Sequence, residues 1–176
     1  MEIEIAVELV KNTPANIKIL QEISVKTFIE SFGALNTDAN MQLYLDECLS
    51  YKKLSEEISI PNVHFYFAKY ANIIIGYLKI NIGEAQTELP DGNGLEVERI
   101  YVLKEYQGKK IGQYLFDKAL QITKEYKLYF LWLGVWEKNI KAINFYKRNG
   151  LIEFGSHVFK LGNDEQIDIL MKVNLQ

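Results

Sequence analysis

The run YFLWLGVW, residues 129–136, carries no charged side chain and alternates large apolar groups onto both of its faces. A strand with one face in water alternates apolar with polar residues, so this one must be covered on both sides, as in a helix-flanked sheet. The neighbouring segments supply the cover. Upstream, Ile111, Leu115, Ala119, Ile122 and Tyr126 fall on one helical stripe, widened by Phe116 and Leu120. Downstream, NIKAINFYKRN (139–149) opens on Asn139 as an N-cap and stops before Gly150, which predicts a short helix. LIEFGSHVF and EQIDILMKV then read as two closing strands.

The first half of the chain completes the pattern. IEIAVELV (3–10) alternates as a strand. The segment 12–33 places Ile17, Leu20, Ile23, Phe28 and Phe32 near helical spacing and predicts a helix that stops at Gly33. A second helix is predicted over 36–59, with Leu43, Leu45, Cys48, Leu49 and Leu54 inward. VHFYFAKY and NIIIGYLKINI meet at Ala71 and Asn72, the mark of a tight hairpin. A polar loop with Asp91-Gly92 and Asn93-Gly94 turn signals leads into the strand LEVERIYVL (95–103). The order predicts a single α/β domain, 1–176, with helices on both faces of a mixed sheet.

Charge narrows the function. Twenty-three acidic against 20 basic side chains leave a net charge of −3 in 176 residues. That balance argues against a nucleic-acid binder and suits a cationic or neutral small partner. Cys48 is alone, so no internal disulfide or cysteine metal cluster can form, and it reads as a spectator thiol. His64 and His157 lack metal-ligand spacing, so no metal is expected. No run of 18 apolar residues occurs and the N-terminus lacks a basic start, which predicts a cytoplasmic protein without a membrane span.

The candidate binding element is EYQGKKIG, residues 105–112, between the strand 95–103 and the helix 111–126. Its glycine spacing fits neither the Walker loop nor the dinucleotide fingerprint. What it keeps is the physical content of both. Glycines let backbone N–H groups converge, and a helix N-terminus adds about half a positive charge. Lys109 and Lys110 add two full charges, so the turn suits an elongated anion such as a pyrophosphate. The alternative is a plain strand-to-helix turn with solvated lysines.

Two motifs together give a resemblance. Gln107 and Gly112 fit a Q/R-x-x-G-x-G/A turn, and Asn139, Ala142 and Tyr146 fit N-x-x-A-x-x-x-Y after the next strand. In this the chain resembles the GNAT family of acyl-CoA N-acyltransferases over roughly residues 60–175. Lys110 departs from the pattern, standing where the turn usually has its first motif glycine. KTFIESFG and GSHVFKLGNDEQIDILMK further resemble the bacterial polyamine N-acetyltransferases of the PaiA type.

The resemblance implies a mostly antiparallel mixed sheet flanked by helices and splayed between its fourth and fifth strands. It implies acetyl-CoA as cosubstrate and a small amine, such as spermidine or spermine, as acceptor. A peptide N-terminus, another small amine, or a non-catalytic acyl-CoA sensor are the alternatives, and a homodimer stays open. The implied donor contacts are the backbone of Ile100, Tyr101 and Val102, the turn of Gln107, Gly108, Lys109, Lys110, Ile111 and Gly112 with Gln113, and Asn139, Ala142 and Tyr146. The implied chemistry gives Ile100 N–H the oxyanion, Tyr146 the thiolate as general acid, and Glu96 or Glu98 the role of base. An alkylammonium with a pKa near 10.4 is neutral in only about one molecule in 2,500 at pH 7, so a base is needed. On a regular strand Glu96, Glu98, Ile100 and Val102 would share one face.

Overall fold

The structure, a computed structural model, describes residues 4–88 and 91–175. Ile3, and Leu89 and Pro90 of the polar loop, lie outside the described residues. The chain runs β1 (Ile5–Leu9), α1 (Pro14–Phe32), α2 (Asp38–Cys48), α3 (Tyr51–Ile58), β2 (Val63–Tyr70), β3 (Ile73–Ile82) and β4 (Gly94–Val102). It continues through α4 (Ile111–Glu125), β5 (Phe130–Trp136), α5 (Ile140–Arg148), β6 (Ile152–Leu161) and β7 (Asp164–Asn174). None of the described helices is long and apolar enough to cross a membrane.

The seven strands form one sheet in the order β1-β2-β3-β4-β5-β7-β6. Neighbours are antiparallel except β4 and β5, which run parallel. Leu131, Leu133 and Val135 of the doubly apolar run join the core under α4 and α5. Trp132 and Trp136 point to the other face, where Trp136 meets Phe32 of α1 at 5.9 Å between ring centroids. Both faces are covered, as an all-apolar strand requires.

Side-chain caps fix where the N-terminal helices begin. Thr13, Thr37 and Ser50 each accept a hydrogen bond from the backbone N–H three residues on. Ser50 is the reason the predicted second helix is two: it caps a new helix, and α2 ends at Cys48. That break turns Leu43 outward to 37 % exposure, and Met41 takes its place in the core beside Leu49 and Leu54, both buried as expected. Gly33 does not end its helix by a left-handed turn; its φ is −59° and the chain continues as a 3₁₀ turn to Leu35. Tyr126, predicted on the α4 stripe, is exposed just past the helix end. The hairpin turn falls at Ala71 and Asn72, whose φ values of +46° and +67° suit the right-handed twist of the paired strands.

Two irregularities of β4 matter for the site. It pairs with β5 over Gly94↔Phe130, Leu95↔Leu131 and Glu96↔Trp132, and then the strands part. Beyond that fork β4 follows β3 to Val102↔Gly76, while β5 follows β7 to Trp136↔Asp168. The second irregularity is a bulge. Ile80 faces Val97 but Lys79 faces Arg99, so Glu98 is an extra residue opposite no partner.

Candidate active site

The turn between β4 and α4 enters its helix through two left-handed residues. Gly108 has φ +78° and Lys110 φ +63°, both left-handed. For Lys110 this conformation costs about 1–2 kcal/mol relative to a glycine, and it swings the chain into the first turn of α4. Gln113 and Tyr114 donate their N–H groups to the Lys110 carbonyl, at 3.0 and 3.2 Å. The N–H groups of the residues before them are the free donors of a helix start. A Cβ built on Gly112 would touch nothing within 4 Å, so space is open above it.

Side chains around the turn divide into donors and braces. Gln107 Nε2 donates to the Val102 carbonyl at 3.1 Å, while its Oε1 accepts from Lys141 Nζ at 3.2 Å. Gln107 therefore ties the turn to β4 and α5. Lys141, which sequence spacing did not single out, becomes an exposed cation beside the turn. Lys109 Nζ lies 5.0 Å from the centre of the Tyr106 ring. Gln113, also expected at the donor, uses its side chain within the protein. Its side chain is exchanged with Asn149 at 2.8 and 3.2 Å and donates to Asp117, locking α4 to α5.

The fork exposes an edge of β4. Leu103 donates its N–H to the Ile75 carbonyl at 2.9 Å, toward β3. Alternate residues of an extended chain present their backbone groups to opposite edges. Tyr101 therefore faces β3, and Ile100 and Val102 face the gap. Of the three residues expected to pair with an extended donor, Ile100 and Val102 turn their backbone groups to the gap and Tyr101 turns its own to β3. Its side chain packs against Tyr77 and Phe32 instead.

The bulge overturns the expectation of one shared face. Ile100 and Val102 pack with the α4 and α5 core, together with Leu95 and Val97. Glu96 and Glu98 lie on the opposite face, joined by one amide: Asn81 Nδ2 donates to Glu96 at 3.0 Å and to Glu98 at 2.7 Å. Glu98 is also paired with Lys79 Nζ at 2.5 Å and Arg99 at 3.4 Å. Glu57 of α3 closes the network, gripping Arg99 with two bonds of 2.9 and 3.1 Å and Lys79 at 3.1 Å. The two carboxyls end in different states. Burial pushes Glu96 above its ordinary value, despite bonds from Thr87 and Asn81. Burial acts on Glu98 the same way, but Arg99 and Lys79 outweigh it and hold that carboxyl below its usual range.

More acid gathers on this face. His157 Nδ1 lies 3.1 Å from Glu88 and its Nε2 3.5 Å from Asp168. Both His157 and Asp168 lie against Gly134 of β5, two residues beyond the fork. None of Asn81, Lys79, Arg99, Glu57 or Thr87 was readable as a site residue, because each acts through partners distant in sequence. Among the described residues no group of three or more His, Cys, Asp or Glu side chains is arranged to hold a metal ion.

On the α5 side, Asn139 Oδ1 accepts from Ala142 N–H at 3.2 Å and caps the helix. Ala142 is half-buried and two turns of helix bring Tyr146 into the core, 7 % exposed, between Phe116 and Phe145. Burial raises the Tyr146 phenol above its ordinary pKa.

The forked sheet, the donor-rich turn at its mouth and the paired carboxylates beneath define a group-transfer domain for an extended, anionic donor. The chain belongs to the acetyltransferase (GNAT) family, whose profile matches residues 25–151. It is 44% identical over 150 residues to an uncharacterized N-acetyltransferase in the pepI 3′ region of Lactobacillus delbrueckii subsp. lactis, covering 85% of this chain and 87% of that one. A spermidine N(1)-acetyltransferase of Thermoplasma acidophilum is 24% identical over 171 residues, 95% of this chain and 96% of the other. The fold is shared with the crystal structure of PaiA N-acetyltransferase from the same organism in complex with coenzyme A, with a TM-score of 0.73 at 23% identity, covering 96% and 99% of the two chains. The chain is an N-acetyltransferase.

Proposed function

We propose that the chain transfers the acetyl group of acetyl-CoA to a primary amine of a polyamine such as spermidine. The observation that carries this reading is the buried Glu96–Asn81–Glu98 cluster at the fork, with Glu88 and Asp168 on the same face. Several carboxylates around one cleft suit an acceptor with several ammonium groups. The kinship with a spermidine acetyltransferase points the same way.

Acetyl-CoA would lie along the gap, its pyrophosphate on the 108–112 N–H groups with Lys109, Lys110 and Lys141 near. Its pantetheine would pair with Ile100 and Val102, and the thioester would rest near the fork. The Ile100 N–H then faces the oxyanion of the tetrahedral intermediate.

Glu96 is the base in this reading. Deprotonating an alkylammonium at pH 7 costs about 4.6 kcal/mol from its ordinary pKa, and a carboxylate whose pKa is raised accepts the proton better than one whose pKa is lowered. Glu98, ionised and held by Lys79 and Arg99, supplies a fixed negative charge. Tyr146 donates to the leaving thiolate. Ordinary pKa values make that transfer uphill by about 2 kcal/mol, and burial of the phenol adds to it. Burial of the thiolate in the same dry gap offsets the difference.

The test is a panel of spermidine, spermine, monoamines and peptide N-termini with acetyl-CoA, following thiol release. Polyamines should show the highest kcat/KM. A preference for peptides would overturn the acceptor class, and absence of thiol release with spermidine and spermine would remove polyamines as acceptors.

A further inference from the structure

We propose that the Thr87 hydroxyl relays the acceptor's proton to Glu96. The inference rests on Glu96 as the base. That carboxyl is only 4 % exposed, too enclosed for a solvated ammonium to dock against it. Its Oε2 already accepts two bonds, from Thr87 N–H at 2.8 Å and Asn81 Nδ2 at 3.0 Å. Its Oε1 accepts from the Thr87 hydroxyl at 2.5 Å. Thr87 itself is exposed, on the segment that crosses the acidic face between β3 and β4. The route from the cleft to the open lone pairs of the base thus passes through one hydroxyl.

A threonine hydroxyl has one proton and two acceptor lone pairs. Here the proton is spent on Glu96, so the lone pairs are left for an N–H of the incoming ammonium. In the transfer, an ammonium N–H bond breaks and its proton moves to Thr87 Oγ1. At the same time the Thr87 O–H bond breaks and that proton moves to Glu96 Oε1. The amine recovers its lone pair, Glu96 becomes neutral and Thr87 ends as a hydroxyl again. The two protons move together, because neither an alkoxide nor a protonated hydroxyl is stable enough to be an intermediate. The charged neighbour of Glu96 is Glu98, kept ionised by Lys79 and Arg99, and its negative field favours the protonated product. The elevation of the Glu96 pKa by burial acts in the same direction.

Single-turnover acetyl transfer to spermidine, measured against pH, tests the relay with Thr87→Val, Thr87→Ser and Glu96→Gln. Thr87→Val keeps the shape and removes the hydroxyl. It should lower the neutral-pH rate about 10²-fold, the lower figure for a positioned proton-transfer group, and recover as pH approaches the amine's value near 10.4. Thr87→Ser should stay within about threefold of wild type, since it keeps the hydroxyl that the relay uses. A wild-type profile for Thr87→Val beside an impaired Glu96→Gln overturns the relay and leaves the base standing. A drop in Thr87→Val by the same factor at every pH makes the hydroxyl a brace, which also overturns it. A wild-type profile for Glu96→Gln removes the base, and the relay with it. Wild-type enzyme gives an independent check in mixed light and heavy water. Two protons in flight give a curved dependence of rate on deuterium fraction, and a straight line refutes the step.

Discussion

Glu57→Gln removes one charge from a buried ion network and keeps its shape. Glu57 is 7 % exposed, and its two oxygens serve Arg99, 7 % exposed, and Lys79, 4 % exposed. Without it, two buried cations share Glu98 alone, and an amide N–H₂ is turned toward groups that are themselves donors. Breaking a buried ion pair from one side costs about 3–5 kcal/mol. For a chain of this size each kcal/mol moves Tm by about 2–4 °C, so the melting temperature should fall by about 6–20 °C. The control lies on the same helix: Lys52 and Glu56 are 4.0 Å apart with side chains 88 % and 57 % exposed. Lys52→Gln should change stability by no more than about 0.5 kcal/mol. Calorimetry and urea unfolding at neutral pH read both variants. If Glu57→Gln costs no more than Lys52→Gln, water screens the network and the burial argument fails.

The two strand glutamates should respond to pH with opposite signs in melting experiments. Glu96 has a raised pKa in the fold, so its contribution is present below its unfolded value and is lost as pH rises through the folded one. Glu96→Gln should therefore stabilise at neutral pH and lose that advantage in acid. Glu98 has a lowered pKa, so its contribution is present above the unfolded value and lost as pH falls through the folded one; Glu98→Gln should destabilise at neutral pH and progressively less in acid. Gly112→Val meets no protein atom within 4 Å, so the fold should survive while the KM for acetyl-CoA rises strongly; unchanged donor affinity would move the pyrophosphate site elsewhere. Tyr146→Phe keeps the packing against Phe116 and Phe145 and should cut single-turnover acetyl transfer by at least about 10²-fold; a wild-type rate would make the tyrosine structural.

Element order was legible in the sequence because periodicity reports burial directly, and burial is what the sheet and its helices share. The break between α2 and α3 was not, since Ser50 interrupts without the glycine or proline that usually signals a stop. The bulge at Glu98 was hidden for a different reason: it is a property of two strands, defined by Lys79 and Ile80 on the partner as much as by β4. Reading β4 alone placed Glu96 and Glu98 together correctly but put Ile100 and Val102 on their face. Local motifs exposed the turn at 107–112 and the N-cap at Asn139. They could not expose Glu57 and Arg99, 42 residues apart, or Thr87 and Glu96, whose pairing depends on how a loop folds back over a strand.

The parting of β4 from β5 also sets how the resting backbone trades hydrogen with solvent. Beyond the fork, Tyr101 and Leu103 are stitched to β3, while Ile100 and Val102 turn their amides to the gap. Neighbouring amides on one strand then differ in protection, slow beside fast. A bound donor that pairs along the gap acts as the strand missing between β4 and β5. The alternation would fade into uniform protection, as it would for a strand closed on both edges.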